Sequence, residues 1–373
     1  MIDVVHSADQ LGMDERRFRL AETHLTEAVA EGRLLGAAMQ VARNGKAMPV
    51  IAVGRRESAI DGAPVLMDTP FLIASITKPV VCAAVMKKVE EGCLSLSDRV
   101  AAHLPDFGRM NKESVTVRHL LTHTSGLPDM LPDNRALRQT HQSPSVFVDR
   151  ICQVPLLFEP GTQISYQSCG IAILSALVEH LEDRTMPEIL ETDIFGPLGM
   201  EDSSLGINEN TRNRISEVKI PEAADGGPGG TDWDWNSAYW HGFAAPWGGM
   251  FSTARDLTVL CQMFLNGGNW HGVRVLGNPA IRAMTRDQTS GMALLPESER
   301  RRQRWGLGWR IAEAALFGDL VSERAFGHGG ATGTVVWMDP ESGISFVLLT
   351  NHAEAAQTLR PKLSDVIAGA LAD

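Results

Sequence analysis

The chain has 373 residues, 44% of them apolar and 21% charged, the make-up of a soluble globular protein with one large domain or two subdomains. Lys and Arg number 34 against 45 Asp and Glu, a net charge of −11, and the single basic run, Arg300-Arg301-Arg302-Gln303-Arg304, is short, so nucleic acid is excluded as a partner.

The opening MIDVVHSADQLGMDERRF has no basic start followed by an apolar run, and no later stretch reaches the length of a membrane span. The five cysteines are odd in number and show no C-x-x-C spacing, as expected of free, mostly buried thiols in a reducing compartment. A cytoplasmic protein without a membrane partner is expected.

Residues 15 to 31 carry apolar side chains at helical spacing (Phe18, Leu20, Ala21, Leu25, Ala28, Val29) and stop at Gly32. The period then shortens. Gly36 to Arg43 and Ala47 to Val53 are apolar runs joined by Asn44-Gly45, which predicts a tight hairpin. Phe71 to Val81, FLIASITKPVV, places Ser75 and Lys78 three residues apart at the start of an apolar helix running through Val89 to a stop at Gly92. An ammonium in an apolar setting gives up its proton more readily, so a lysine stacked beside a serine hydroxyl is one way to activate it. The N–H groups at the start of the helix would add partial positive charge there. The same spacing recurs at Ser216 and Lys219, in a polar stretch with nothing to desolvate the lysine.

Residues 80 to 215 are dominated by helical periodicity. His119 and His123 stand at i,i+4 in VRHLLTHTSGLPDM but lack an H-E-x-x-H pattern or a third ligand, so they are read as structural. Pro160-Gly161 turns the chain before Tyr166, one of only two tyrosines with Tyr239. Pro221 to Met250 is rich in glycine and carries Trp233, Trp235, Trp240 and Trp247, which suits either a cover over a pocket or packing over an insertion. His328-Gly329-Gly330-Ala331 precedes a second hairpin, Thr334 to Met338 and Ile344 to Thr350, and a closing helix from about Glu354 to Leu371. Paired glycines at a strand either admit a neighbouring backbone or ligand or mark a bulge with His328 at the surface. No G-x-S-x-G, phosphate loop or G-x-G-x-x-G is present, which removes the nucleophile elbow and the usual nucleotide sites. Sheet plus helix at both ends predicts an α+β fold: an antiparallel sheet domain from residues 1–80 and 216–373, carrying a mainly helical insertion at 81–215, with the site between them.

Taken in order, Ser75-x-x-Lys78, Tyr166-Gln167-Ser168 and His328-Gly329-Gly330, with flanks such as VRHLLTHTSGLP, FEPGTQISYQ and WGLGW, resemble the serine β-lactamase and penicillin-binding-protein superfamily. The resemblance is to its class C-like branch, and the His-Gly-Gly form looks most like the family VIII carboxylesterases. It implies Ser75 as nucleophile, Lys78 as its activating partner and Tyr166 as proton relay. The N–H groups of Ser75 and Ala331 would form the oxyanion hole, and Ser168, His328, Gly329 and Gly330 would line the substrate site. Ser168 stands where that branch has asparagine, and a shorter side chain with one O–H can hold Lys78 or reach toward substrate, not both. No metal or organic cofactor is implied. The expected substrate is a small carboxylic ester cleaved through an acyl-enzyme. A β-lactamase or D-amino-acid peptidase, and a non-catalytic binding protein on the same fold, are the alternatives.

Overall fold

Apolar runs at both ends of the chain build one sheet. The computed structural model describes residues 2–59, 61–220 and 230–372, and for 354–357 the backbone alone. Its strands are β1 (Asp3–Val4), β2 (Gly36–Arg43), β3 (Lys46–Ala47), β4 (Ile51–Gly54), β5 (Phe71–Leu72), β6 (Ser204–Leu205) and β7 (Met250–Ser252). They continue with β8 (Asn269–Trp270), β9 (Val273–Arg274), β10 (Arg310–Ile311), β11 (Phe326–Gly329), β12 (Val335–Asp339) and β13 (Ile344–Thr350). The main sheet runs β1-β3-β2-β13-β12-β11-β10, with β4 also on β2, and every pairing but the two-residue β1·β3 is antiparallel. The first long strand therefore lies against the last, from Arg43 opposite Ile344 to Ala37 opposite Thr350.

The period of two sorts these strands into faces. Met39, Val41, Val335, Trp337, Phe346 and Leu348 point into a core shared with Phe18 and Leu25 of helix Glu15–Ala30 and Leu359 and Leu363 of helix Ala353–Ala368. Ala38, Ala42, Val336, Met338, Val347 and Leu349 point the other way, toward helix Ala254–Leu265. Between 81 and 215 the chain is mostly helical, including Pro144–Gln153 and Cys169–Glu182, and its apolar residues join this second core without a break. A small sheet, β5-β7-β6, ties that region to the segment ahead of Ser75.

The first hairpin turns at Asn44-Gly45, whose φ values of +51° and +83° are those of a tight primed turn. Its return strand is not the single run the sequence suggests. Pro49 has no N–H to give the ladder, and the register slips by one residue, Ala42 facing Ala47 but Met39 facing Ile51. Cys82, Cys152, Cys169 and Cys261 are buried free thiols and Cys93 an exposed one. Among the described residues no helix is long and apolar enough to cross a membrane.

Candidate active site

β5 delivers the chain into a single 3₁₀ turn, Ala74–Ile76, which passes directly into the α-helix Thr77–Glu90. In a 3₁₀ turn residues i and i+3 eclipse, so Lys78 stands over Ser75. Its Nζ lies 3.0 Å from Ser75 Oγ and 2.7 Å from the carbonyl oxygen of Trp247. Lys78 is 1% exposed, and no carboxylate pairs with it among the described residues. The helix behind it is apolar on every side (Val80, Val81, Ala83, Ala84, Val85, Met86), as befits a central element. Ala74 enters the turn at φ +48°, a left-handed conformation costing a residue with a Cβ about 1 kcal/mol. Two bonds hold it: Thr77 Oγ1 donates to the Ala74 carbonyl at 2.6 Å, and the Met250 N–H donates to Thr77 Oγ1 at 3.1 Å.

Tyr166 reaches the same place from the helical side, with its ring centroid 4.8 Å from Lys78 Nζ. Its loop is laced to the His123–Gly126 segment. The Ser165 N–H donates to the His123 carbonyl, the Gly161 N–H to that of Thr124, and the Gln167 N–H to His123 Nδ1 at 3.2 Å. His123, Trp305 and His328 surround the phenol ring at centroid distances of 4.9, 5.9 and 6.0 Å, and the Arg310 guanidinium lies over it at 5.5 Å. Burial, then the neighbouring Lys78, His328 and Arg310, hold His123 well below the usual histidine range, and burial, Arg310 and Lys78 do the same for His328. Both rings are therefore neutral at pH 7. His123 accepts at Nδ1 and so carries its proton on Nε2, whereas His328 Nδ1 donates to the Gly329 carbonyl at 2.8 Å and leaves Nε2 a bare acceptor. With the histidines uncharged, the Arg310 guanidinium over the Tyr166 ring is the fixed cation beside the phenol, a sign that favours developing negative charge.

The His-Gly-Gly strand closes the third side. His328 is 1% exposed within β11, opposite Val336, so it is neither at the surface nor on a bulge. A Cβ on Gly330 would sit 2.2 Å from the Ile73 carbonyl oxygen, so only glycine lets this strand approach the Ser75 turn so closely. Thr332 Oγ1 donates to the Leu72 carbonyl at 2.6 Å and Thr334 Oγ1 to that of Ile73 at 3.0 Å. Among the described residues, neither the Ser75 nor the Ala331 backbone N–H has a backbone partner, and Ala331 is exposed.

Ser168 departs from its expected task. Both its hydroxyl, at 2.7 Å, and its N–H, at 2.8 Å, donate to Asp129 Oδ1, and among the described residues no hydrogen bond joins it to Lys78. The carbonyl of Trp247 takes that place. A one-carbon arm at the start of helix Cys169–Glu182 meets the nearest strong acceptor, and that is a carboxylate.

A family model described as Beta-lactamase matches residues 21–367. The chain belongs to the Beta-lactamase family. A putative D-alanyl-D-alanine carboxypeptidase of Salmonella agona is 28% identical over 314 residues, covering 76% of this chain and 70% of that protein. Two solved structures share the fold. A penicillin-binding protein homolog from Caulobacter crescentus superposes with a TM-score of 0.78 at 23% identity, covering 96% of this chain and 99% of its own. A family VIII carboxylesterase superposes with a TM-score of 0.76 at 21% identity, covering 95% and 97%. The antiparallel sheet with its helices is thus β-lactamase/transpeptidase-like, and the family is one of β-lactamase-fold serine hydrolases.

In this Beta-lactamase-family protein, several residues at the site lie outside the three motifs. His123 and His119 do separate work: His119 Nδ1 accepts from the Thr116 N–H at the start of helix Val117–Leu121, and His123 holds Gln167. Trp247 and Trp240 are buried packing residues, 6% and 4% exposed, and Trp247 enters the site through its carbonyl alone. Residues 221–229 of the tryptophan-rich stretch lie outside the described residues. Trp305 opens WGLGW, a stretch that enters the motif comparison without assigning it a task, and Arg310 follows directly after it.

Proposed function

We propose that this protein is a serine hydrolase that cleaves small carboxylic esters through an acyl-enzyme, with weak or no turnover of β-lactams. The observation that carries the reading is the 3.0 Å contact between Lys78 Nζ and Ser75 Oγ, in a buried turn where the amine meets only uncharged oxygens. Ser75 Oγ attacks the ester carbonyl as its proton passes to Lys78. The oxyanion forms opposite the Ser75 and Ala331 N–H groups, and as the tetrahedral intermediate collapses the leaving alcohol takes a proton through Tyr166 and Lys78. Water then attacks the acyl-enzyme by the reverse path, restoring the Ser75 hydroxyl.

The preference for esters rests on what the site does not offer an amide. Ser168 is spent on Asp129, and Gln167 is buried, accepting from Ser125 Oγ at 2.5 Å and donating to the Leu120 carbonyl at 3.3 Å. A β-lactam or peptide would leave its side-chain amide poorly paired, at about 1–3 kcal/mol. A second reading, a D-amino-acid carboxypeptidase, draws on Arg310 beside Tyr166 as a cation for a substrate carboxylate and on the Salmonella agona relative's name. Arg310 already pairs with Glu313 at 2.9 Å, which weakens its claim on a second carboxylate.

Incubation with a serine-directed phosphonate and peptide mapping should place the adduct on Ser75. In the same protein kcat/KM for a short-chain nitrophenyl ester should exceed that for a cephalosporin or a D-Ala-D-Ala peptide. A label on another serine, or faster turnover of either amide, would overturn the reading.

A further inference from the structure

The loop that presents the Ala331 N–H is held from behind by a buried cation. Arg360 lies on helix Ala353–Ala368, anchored to the sheet by Leu359 and Leu363 in the core and by the Trp337 Nε1–H, which donates to Ser364 Oγ at 2.9 Å. Arg360 is 8% exposed. It donates from its terminal nitrogen to the Gly330 carbonyl and from Nε to the Gly333 carbonyl at 3.1 Å. The Gly333 N–H also donates to the Gly330 carbonyl, at 3.0 Å, so both lone pairs of that oxygen are used. Burial pulls Arg360 down to about 10, and it remains a cation at neutral pH. No carboxylate neutralises it among the described residues.

The Gly330 carbonyl and the Ala331 N–H are the two ends of one planar peptide unit and, in the trans form, point in opposite directions. A charged donor on the oxygen draws electron density through the amide and makes the opposite N–H a stronger donor. It also fixes the plane, and with it the direction of that N–H. We infer that Arg360 is a positioning residue for the oxyanion hole, acting through the Gly330–Ala331 peptide by orienting and polarising the N–H that Ala331 presents beside Ser75. This rests on the hydrolase reading above. It makes the closing helix, remote in sequence from all three motifs, part of the apparatus for stabilising the transition state.

An oxyanion hole is used in the transition state, so its loss lowers kcat more than it raises KM. Removing one donor outright costs about 10²–10³ in kcat, and disturbing a donor from behind should cost less, about tenfold. A merely structural role would lower all rates together. The discriminating measurement is the ratio of kcat/KM for a short-chain ester to that for its thionoester, whose sulfur is a weak hydrogen-bond acceptor and gains little from a well-aimed N–H. Arg360→Gln, which keeps a neutral donor, should lower kcat about tenfold with KM within about twofold and shrink the oxo-to-thiono ratio at least threefold, against the larger loss for a missing donor. Arg360→Lys, which keeps the charge and loses the fork, should fall between the two, and it carries the test alone if Arg360→Gln does not fold. An unchanged ratio in a folded variant, with the unmodified protein active and labelled at Ser75, would overturn the role of Arg360 and leave the hydrolase reading standing. No ester turnover and no label in the unmodified protein would overturn both.

Discussion

The chain contains the pattern Ser-x-x-Lys twice, and the two copies have almost nothing physical in common. At Ser75 the pattern falls on a 3₁₀ turn feeding a helix, and the two side chains meet at 3.0 Å. At Ser216 it falls on a stretch, residues 215–220, with no regular structure. There Ser216 is buried and Lys219 exposed, so the two side chains do not share a side of the chain. The second serine's hydroxyl is a structural fitting, accepting from Asn351 Nδ2 at 2.8 Å and donating to the Arg56 carbonyl at 3.3 Å. A spacing becomes a chemical pair only when the backbone period turns both residues the same way and the surroundings exclude water.

The sharpest way to break the contrast is to remove each lysine in turn. Lys78→Ala should cut kcat/KM for a short-chain ester by about 10²–10⁴, the usual contribution of a positioned base. The fold should survive it, because Lys78 Nζ meets only two uncharged oxygens and its removal breaks no ion pair among the described residues. Circular dichroism melting beside the kinetics separates the two effects. A rate within threefold of the unmodified protein would erase the distinction between the copies.

How much of this was legible in the sequence follows from the same contrast. The hairpins, the first and last helices and the Ser75 turn were readable because each depends on local period, turn chemistry and burial pattern. Even there Pro49 divides the return strand of the first hairpin, an effect of one missing N–H that the apolar pattern conceals. The contacts that finish the site are of another kind. His123 reaches the Gln167 N–H, Ser168 reaches Asp129 and Arg360 reaches Gly330, each by one or two hydrogen bonds between segments about 30 or more residues apart. Such bonds leave no periodic trace, and the identity of a side chain does not say which acceptor it will meet. Family resemblance supplied the three motifs. It placed Ser168 by alignment with an asparagine, and the shorter side chain found a different partner.

That substitution gives a test of intermediate size. Because the Ser168 hydroxyl and N–H share one carboxylate oxygen, Ser168→Ala removes one of two donors to an exposed carboxylate that water can also reach, and should destabilise the protein by about 1 kcal/mol. The ratio of ester to cephalosporin turnover should not move, since the hydroxyl is engaged by Asp129. A shifted ratio at unchanged melting temperature would mean that Ser168 faces the substrate during turnover, as the motif comparison suggests, and would weaken the structural basis for ester preference.

The smallest expected effect is the most direct check on the second copy. Lys219 is exposed, and among the described residues its side chain makes no ion pair and its tie to the fold is the backbone N–H, which donates to the Asn351 carbonyl at 2.7 Å and survives any side-chain change except proline. Lys219→Ala should therefore change stability by no more than about 0.5 kcal/mol, or less than about 1 °C in melting temperature for a chain of this size. Ester turnover and phosphonate labelling at Ser75 should be unaffected, because a solvated ammonium carries no differential interaction with a transition state it does not touch. A tenfold fall in kcat/KM with the fold intact would require Lys219 to act at the site, and the pairing of Ser75 with Lys78 could then no longer stand as the sole source of the reactive serine.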